Sequence, residues 1–170
     1  SSRRHWQGYL FAESEQQLTI KLARRLEQLQ QQGLFAAPLQ PLDTAALKSM
    51  LQQAPQDPDL LLQLARRHIN NGQLDAAMAY LARLDNPDTD YGFSPYRAEA
   101  LWHKGKVYKM RSQHRQAAYS LEAMATLLAD TPLWPLSFHN IKTAAWLAFA
   151  RTDYPGMLAI LERGLALGQS

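Results

Sequence analysis

NNGQLDAAMAYLARLDNP, residues 70–87, reads as a turn, a helix and a stop. Asn71-Gly72 ends whatever precedes it. Ala76, Ala77, Tyr80, Leu81 and Leu84 then repeat at helical spacing and make one apolar stripe. Pro87 prevents continuation. Upstream, QDPDLLLQLARRHI opens with Asp57, whose carboxylate can accept the free amide protons of a helix start. Pro58 suits the first helical position because it has no amide proton to leave unpaired. Leu61, Leu64, Ala65 and His68 fall on one side of that helix. Two antiparallel helices joined this tightly form a helical hairpin.

The phrase recurs. Ala65, His68, Ala77, Leu81 and Leu84 correspond to Gly105, Tyr108, Ala117, Leu121 and Met124, each 40 residues on (105 − 65, for example). Another 40 lands on Ala145, Ala148, Met157, Leu161 and Gly164. Small residues at 65, 105 and 145 let two helices approach closely, and residues 77, 117 and 157 pack into the gap. One hairpin cannot bury its stripe alone, whereas stacked hairpins can.

Gly105 and Tyr108, then Ala117 and Leu121, resemble the tetratricopeptide repeat, as do TDYPGMLAILERGLAL and NGQLDAAMAYLARL. The resemblance covers about residues 57–168. It implies an all-α, right-handed solenoid of stacked antiparallel helix pairs, with repeats at 57–91, 94–130 and 135–168. The interval of 40 exceeds the family's usual length of about 34, so DNPDTDYGFSP and DTPLWPLS are expected to hold the extra residues as longer loops. Met157 stands where a small residue is typical. Such 40-residue helix pairs are also similar to those appended to bacterial transcriptional regulators and sensors, including the CadC-like activators, which implies as the alternative a sensory or regulatory domain of a larger protein that self-associates or binds a ligand.

Residues 1–56 are expected to form a helical capping region of the same single domain. Leu18, Leu22, Leu26 and Leu29 make a stripe, Ser14 and Gln17 a capping box, and Gly33 a stop. Asp43 can cap a short helix carrying Ala46, Leu47, Met50 and Leu51. The leucine stripe, next to Gln28, Gln30, Gln31 and Gln32, could cap the array or self-associate, which leaves a homodimer open. Valine appears once in 170 residues, at Val107, so a sheet is unexpected. No apolar run approaches membrane-spanning length. The start SSRRHWQGYL lacks the apolar core of a secretion signal, and the missing Met suggests an excised domain. There is no cysteine, which excludes disulfides and thiolate chemistry and fits cytoplasm or periplasm alike.

No catalytic, cofactor or metal motif stands out. The five histidines are scattered without ligand spacing. His68 sits on a packing stripe and is expected in the core, while His103 and His114, in basic surroundings, are expected on a solvated face. Asp85, Asp88 and Asp90 lack the glycine and distal glutamate of a calcium loop. Lys104-Gly105-Lys106 has one glycine and cannot cradle a phosphate. The chain is therefore not expected to be an enzyme.

From Arg97 to Arg115 six cations face a single acid, Glu99. Arg97, Lys104 and Arg111 share a stripe. A solvated helix face is the plain reading; a nucleic-acid patch is the less favoured one, given a net charge of only +3. In the family, the first helix of each repeat lines a groove for an extended peptide or a partner helix. Carried over by register, that groove comprises Leu62, Arg66 and Ile69, then Trp102, Lys106 and Lys109, then Lys142, Trp146 and Phe149. Such a surface would be basic with aromatic anchors, suited to an acidic protein segment. Trp146 and Phe149 could equally be buried against a neighbouring helix. The family's carboxylate-clamping subset uses asparagines and lysines, and the matching Gln63, Arg66, His103 and Thr143 make that chemistry unexpected here.

Overall fold

In the computed structural model, the described residues are 24, 31, 43–86, 95–131 and 133–168. The expected stripe Leu18–Leu29, its capping box and its Gly33 stop lie outside them. Seven helices have defined bounds: α1 (Thr44–Gln53), α2 (Pro58–Asn70), α3 (Leu74–Leu84), α4 (Pro95–Met110), α5 (His114–Leu128), α6 (Trp134–Ala150) and α7 (Tyr154–Gly168). No strand occurs among the described residues. The regular structure of the described residues is entirely helical, in agreement with a helical-repeat fold.

The helix starts follow from local chemistry. Asp43 Oδ1 accepts the Ala46 amide proton at 2.7 Å and caps α1. Asp57 Oδ1 accepts from Asp59 and Leu60 at 3.0 and 3.3 Å, with Pro58 at the first position of α2. These side chains satisfy donors that have no partner inside the helix.

The three tight turns share one geometry at intervals of 40. Gln73, Gln113 and Asp153 donate their backbone N–H to the carbonyls of His68, Tyr108 and Ala148, at 2.8, 2.8 and 2.9 Å. Gly72, Ser112 and Thr152 donate to Ile69, Lys109 and Phe149, at 3.0, 3.0 and 2.9 Å. This paired pattern is the Schellman ending, which needs a left-handed residue just past the helix. Gly72, Ser112 and Thr152 supply it, with φ of 73°, 57° and 60°. Only glycine adopts that φ without steric cost. In the third turn, Asp153 holds the entry to α7: its Oδ1 accepts the Gly156 amide proton at 2.9 Å and its Oδ2 accepts from Arg151 at 3.0 Å. The Gly156 N–H, and after it Arg151, hold its carboxyl below the ordinary range.

The chain divides into two compact units, residues 1–99 and 100–170, with the boundary inside α4. In the first, α2 packs on α1 and α3. Leu60, Leu61, Leu62, Leu64, Ala65, Leu81 and Leu84 are sealed from solvent. Each buried leucine contributes about 1.5–3 kcal/mol. The Tyr96 hydroxyl, at the start of α4, donates to the buried carboxylate of Asp59. His68 is buried, as its stripe predicts. It stacks on Tyr80 with ring centroids 5.5 Å apart, and its Nδ1 lies 2.6 Å from Gln73 Oε1.

In the second unit, α5 packs on α6, and α6 on α7. Its core is rich in alanine: Ala117, Ala118, Ala125, Ala144, Ala145 and Ala148 pack with Leu121, Ile141, Leu147 and Ile160. Small side chains let the helix axes close up, and close approach is confirmed where Ser137 Oγ donates to the Ala125 carbonyl at 2.6 Å. Gly105 is buried, and a methyl group placed on it would lie 3.3 Å from Leu121 Cδ2.

Three expectations need correction. DTPLWPLS is not a long loop: its residues 134–137 open α6, which starts at Trp134. His103 is not on a solvated face; it is buried, as is Gln63, 40 residues earlier. Both stand one helical turn after a buried acid, Asp59 or Glu99, so the register rather than the basic neighbourhood decides their burial. Leu161 occupies the register of the buried Leu81 and Leu121 yet is 37% exposed. Among the described residues no helix follows α7.

The turns make a direct prediction. Thr152→Gly is expected to stabilise the protein by about 1 kcal/mol, because it relieves a β-branched residue of a left-handed conformation. Gly72→Ala is expected to destabilise it by a similar amount, since nothing within 4 Å of that position adds a contact effect. Urea unfolding of both variants beside the parent checks the opposite signs.

Candidate partner-binding cleft

The second unit contains a cleft of about 100 Å³. Trp102, Lys106 and Lys109 come from α4, at spacings of four and three that place them on one stripe. His139, Asn140 and Thr143 come from α6, and Leu121 of α5 completes the lining. Trp102 is half-buried and packs against the alanine-rich core, which fixes the ring. Lys106 and Lys109 are exposed. Among the described residues, no acidic one lines the cleft.

Asn140 is fully buried. Its Nδ2 donates to Met124 Sδ at 2.9 Å, a weak acceptor, and its Oδ1 has no protein hydrogen-bond partner. Thr143 Oγ1 donates to the His139 carbonyl at 3.1 Å, which leaves the hydroxyl oxygen able to accept. The cleft therefore combines two cations, an indole face and an under-used buried amide. It presents positive charge and hydrogen-bonding groups beside an apolar ring.

The nine expected groove residues fare differently. Trp102, Lys106 and Lys109 come together at this cleft. Lys142, Trp146 and Phe149 lie along the exposed side of α6 at spacings of four and three. Trp146 is 65% exposed and stacks on Phe149 with centroids 5.4 Å apart; Phe149 meets Tyr154 edge-on at 5.8 Å. Burial against a neighbouring helix is thus not their situation. In the first unit, Leu62 and Ile69 are buried and Arg66 is half-buried. Leucine and isoleucine there serve the core, so they offer no surface to a partner.

His139, Asn140 and Leu121 were not among the expected groove residues. His139 and Asn140 stand 40 residues after the buried Glu99 and Ala100, so the repeat register alone did not mark them as groove residues. Of the basic stripe, Arg97 forms an ion pair with Asp85 at 2.9 Å, and Tyr108 packs against the core. The stripe is therefore not a uniform row of solvated cations.

Comparison with known proteins gives one positive result. A family model described as tetratricopeptide repeat matches residues 44–101. That segment runs from α1 into the first half of α4. No curated protein and no solved structure matches the chain. Tetratricopeptide repeats generally mediate protein–protein interaction and are typically non-catalytic. No helix among the described residues is long and apolar enough to cross a membrane.

Asn140 is expected to trade stability for binding. Asn140→Leu is similar in size and removes a buried oxygen without a partner, so it is expected to raise the unfolding free energy by about 1 kcal/mol. Thermal and urea melts of the variant check this; a loss of stability would show that the amide is satisfied where it stands.

Proposed function

We propose that the chain is a non-catalytic protein-interaction module whose cleft in the second unit takes an acidic segment of a protein partner. The meeting of Trp102, Lys106 and Lys109 at one cleft carries this reading. The two ammonium groups attract and orient a carboxylate, while the indole, held by the core, supplies most of the apolar contact. Asn140 and Thr143 add hydrogen-bonding capacity beside the cations. Lys142, Trp146 and Phe149 extend the same combination of charge and exposed aromatic surface along α6, which suits an extended peptide or a partner helix better than a single small anion.

An acidic protein segment fits better than a nucleic acid. A phosphate backbone is bound by many cations along its length. Here the net charge is +3, and Arg97 of the basic stripe is already paired with Asp85.

The test is selection from a displayed library of random dodecapeptides, followed by fluorescence polarisation with the selected sequences. Selected peptides are expected to carry a net negative charge and at least one large apolar residue. Lys106→Glu combined with Lys109→Glu should weaken their binding at least tenfold, with helical content by circular dichroism unchanged. Lys142→Glu should weaken it about threefold. Neutral or basic selected peptides, or affinities that ignore the two cleft lysines, would refute the reading.

A further inference from the structure

Helix α7 is apolar on two faces. Ile160 is buried on one of them, where Met157 and Leu167 pack against the core of the second unit. On the other, Tyr154, Leu158, Leu161 and Leu165 recur at intervals of four, three and four, a single stripe. They are exposed by 51, 56, 37 and 65%. A helix packed on one side normally turns a polar face to solvent on the other. This face has no charged residue within the stripe: Glu162 stands beside it, and Arg163 donates from Nη2 to Glu122 Oε2 at 3.0 Å.

We propose that this stripe is a self-association surface, covered by the same face of a second copy of the chain running antiparallel. The spacing 4-3-4 is the heptad seam over two heptads, and it reads the same in both directions. A two-fold axis crossing α7 between Ala159 and Ile160 therefore sets Tyr154 opposite Leu165 of the second copy, and Leu158 opposite Leu161. The same operation places Glu162 opposite Met157 and Arg163 opposite Gly156, so no like charges meet. A two-fold interface demands such self-complementarity.

The area is sufficient. Taking about 200 Å² for a large apolar side chain, the four residues expose on the order of 400 Å² of apolar surface per copy. Homodimer interfaces are about 65% apolar, so the stripe corresponds to roughly 600 Å² per copy. Two copies together then exceed the roughly 1,000 Å² that a specific interface needs. Trp146 and Phe149, assigned to the partner surface, are left out of this figure. The proposal shares no residue with the cleft and stands independently of it.

The test is sedimentation equilibrium of the 170-residue chain from 1 to 500 µM, with light scattering on eluting size-exclusion peaks. The expected result is a concentration-dependent dimer. Leu158→Glu and Leu161→Lys should each weaken it at least thirtyfold while leaving circular dichroism unchanged. Mixing the two variants should restore dimer mass, because the antiparallel pairing sets the introduced carboxylate opposite the introduced ammonium and leaves a leucine pair beside them. The natural chain has no cysteine, so mild oxidation of a mixture of Leu158→Cys and Leu161→Cys, both conservative in size, should yield a cross-linked heterodimer. Lys106→Glu with Lys109→Glu should leave the dimer intact. A parent chain that is monomeric at 500 µM, as it would be if a different protein's helix covered the stripe, overturns the proposal. So does a dimer indifferent to both charge substitutions, or a mixture that neither re-associates nor cross-links.

Discussion

Close approach of two helices at a residue that has almost no side chain is the constraint on which the second unit depends. Gly105 of α4 is buried, and a methyl group added to it would sit only 3.3 Å from Leu121 Cδ2 of α5. Ala145 on α6 is also nearly sealed. In the first unit Ala65 on α2 holds the same register and is fully buried. Packing in such an interior is dense, so a single added methylene is felt. Everything that matters for binding rests on this. The helices must nest before Trp102 can lie against the core and before α4 and α6 can present their side chains to one cleft.

The Schellman turns complement that constraint. Each reverses the chain with one left-handed residue and two backbone hydrogen bonds. Their recurrence every 40 residues shows that the repeat is a repeat of backbone geometry, not only of apolar pattern. Glycine meets the requirement at 72; serine and threonine meet it at 112 and 152 with some strain. The same turn geometry is thus built with and without glycine.

Much of this was legible in the residues. Asp57 and Pro58 announced the start of α2, Asn71-Gly72 its end, and the offset of 40 set the later hairpins in register with the first. The unusual length of the interval did not obscure the register, because the core positions depend on spacing within a hairpin and not on the loop between hairpins. The site was less legible. Leu62 and Ile69 hold groove positions by register, yet apolar side chains there are drawn into the core. His103 was misjudged because charge nearby in sequence says little about which way a helix face turns. Asn140 and His139 acquire meaning only when α6 is set against α4. The exposed stripe of α7 was hidden by its own sequence: a helix apolar on two sides looks like core until the packing shows which side is exposed.

The most direct measurement of the central claim is a double-mutant cycle on Gly105 and Leu121, read by urea unfolding. Gly105→Leu alone should destabilise by about 1–3 kcal/mol through overpacking, and Leu121→Ala alone by about 2–5 kcal/mol through the cavity it leaves. Together they should cost less than their sum by at least about 1 kcal/mol, because the new side chain fills the space the old one vacates. Strict additivity would contradict the account, since it would mean that the two helices do not nest at this point.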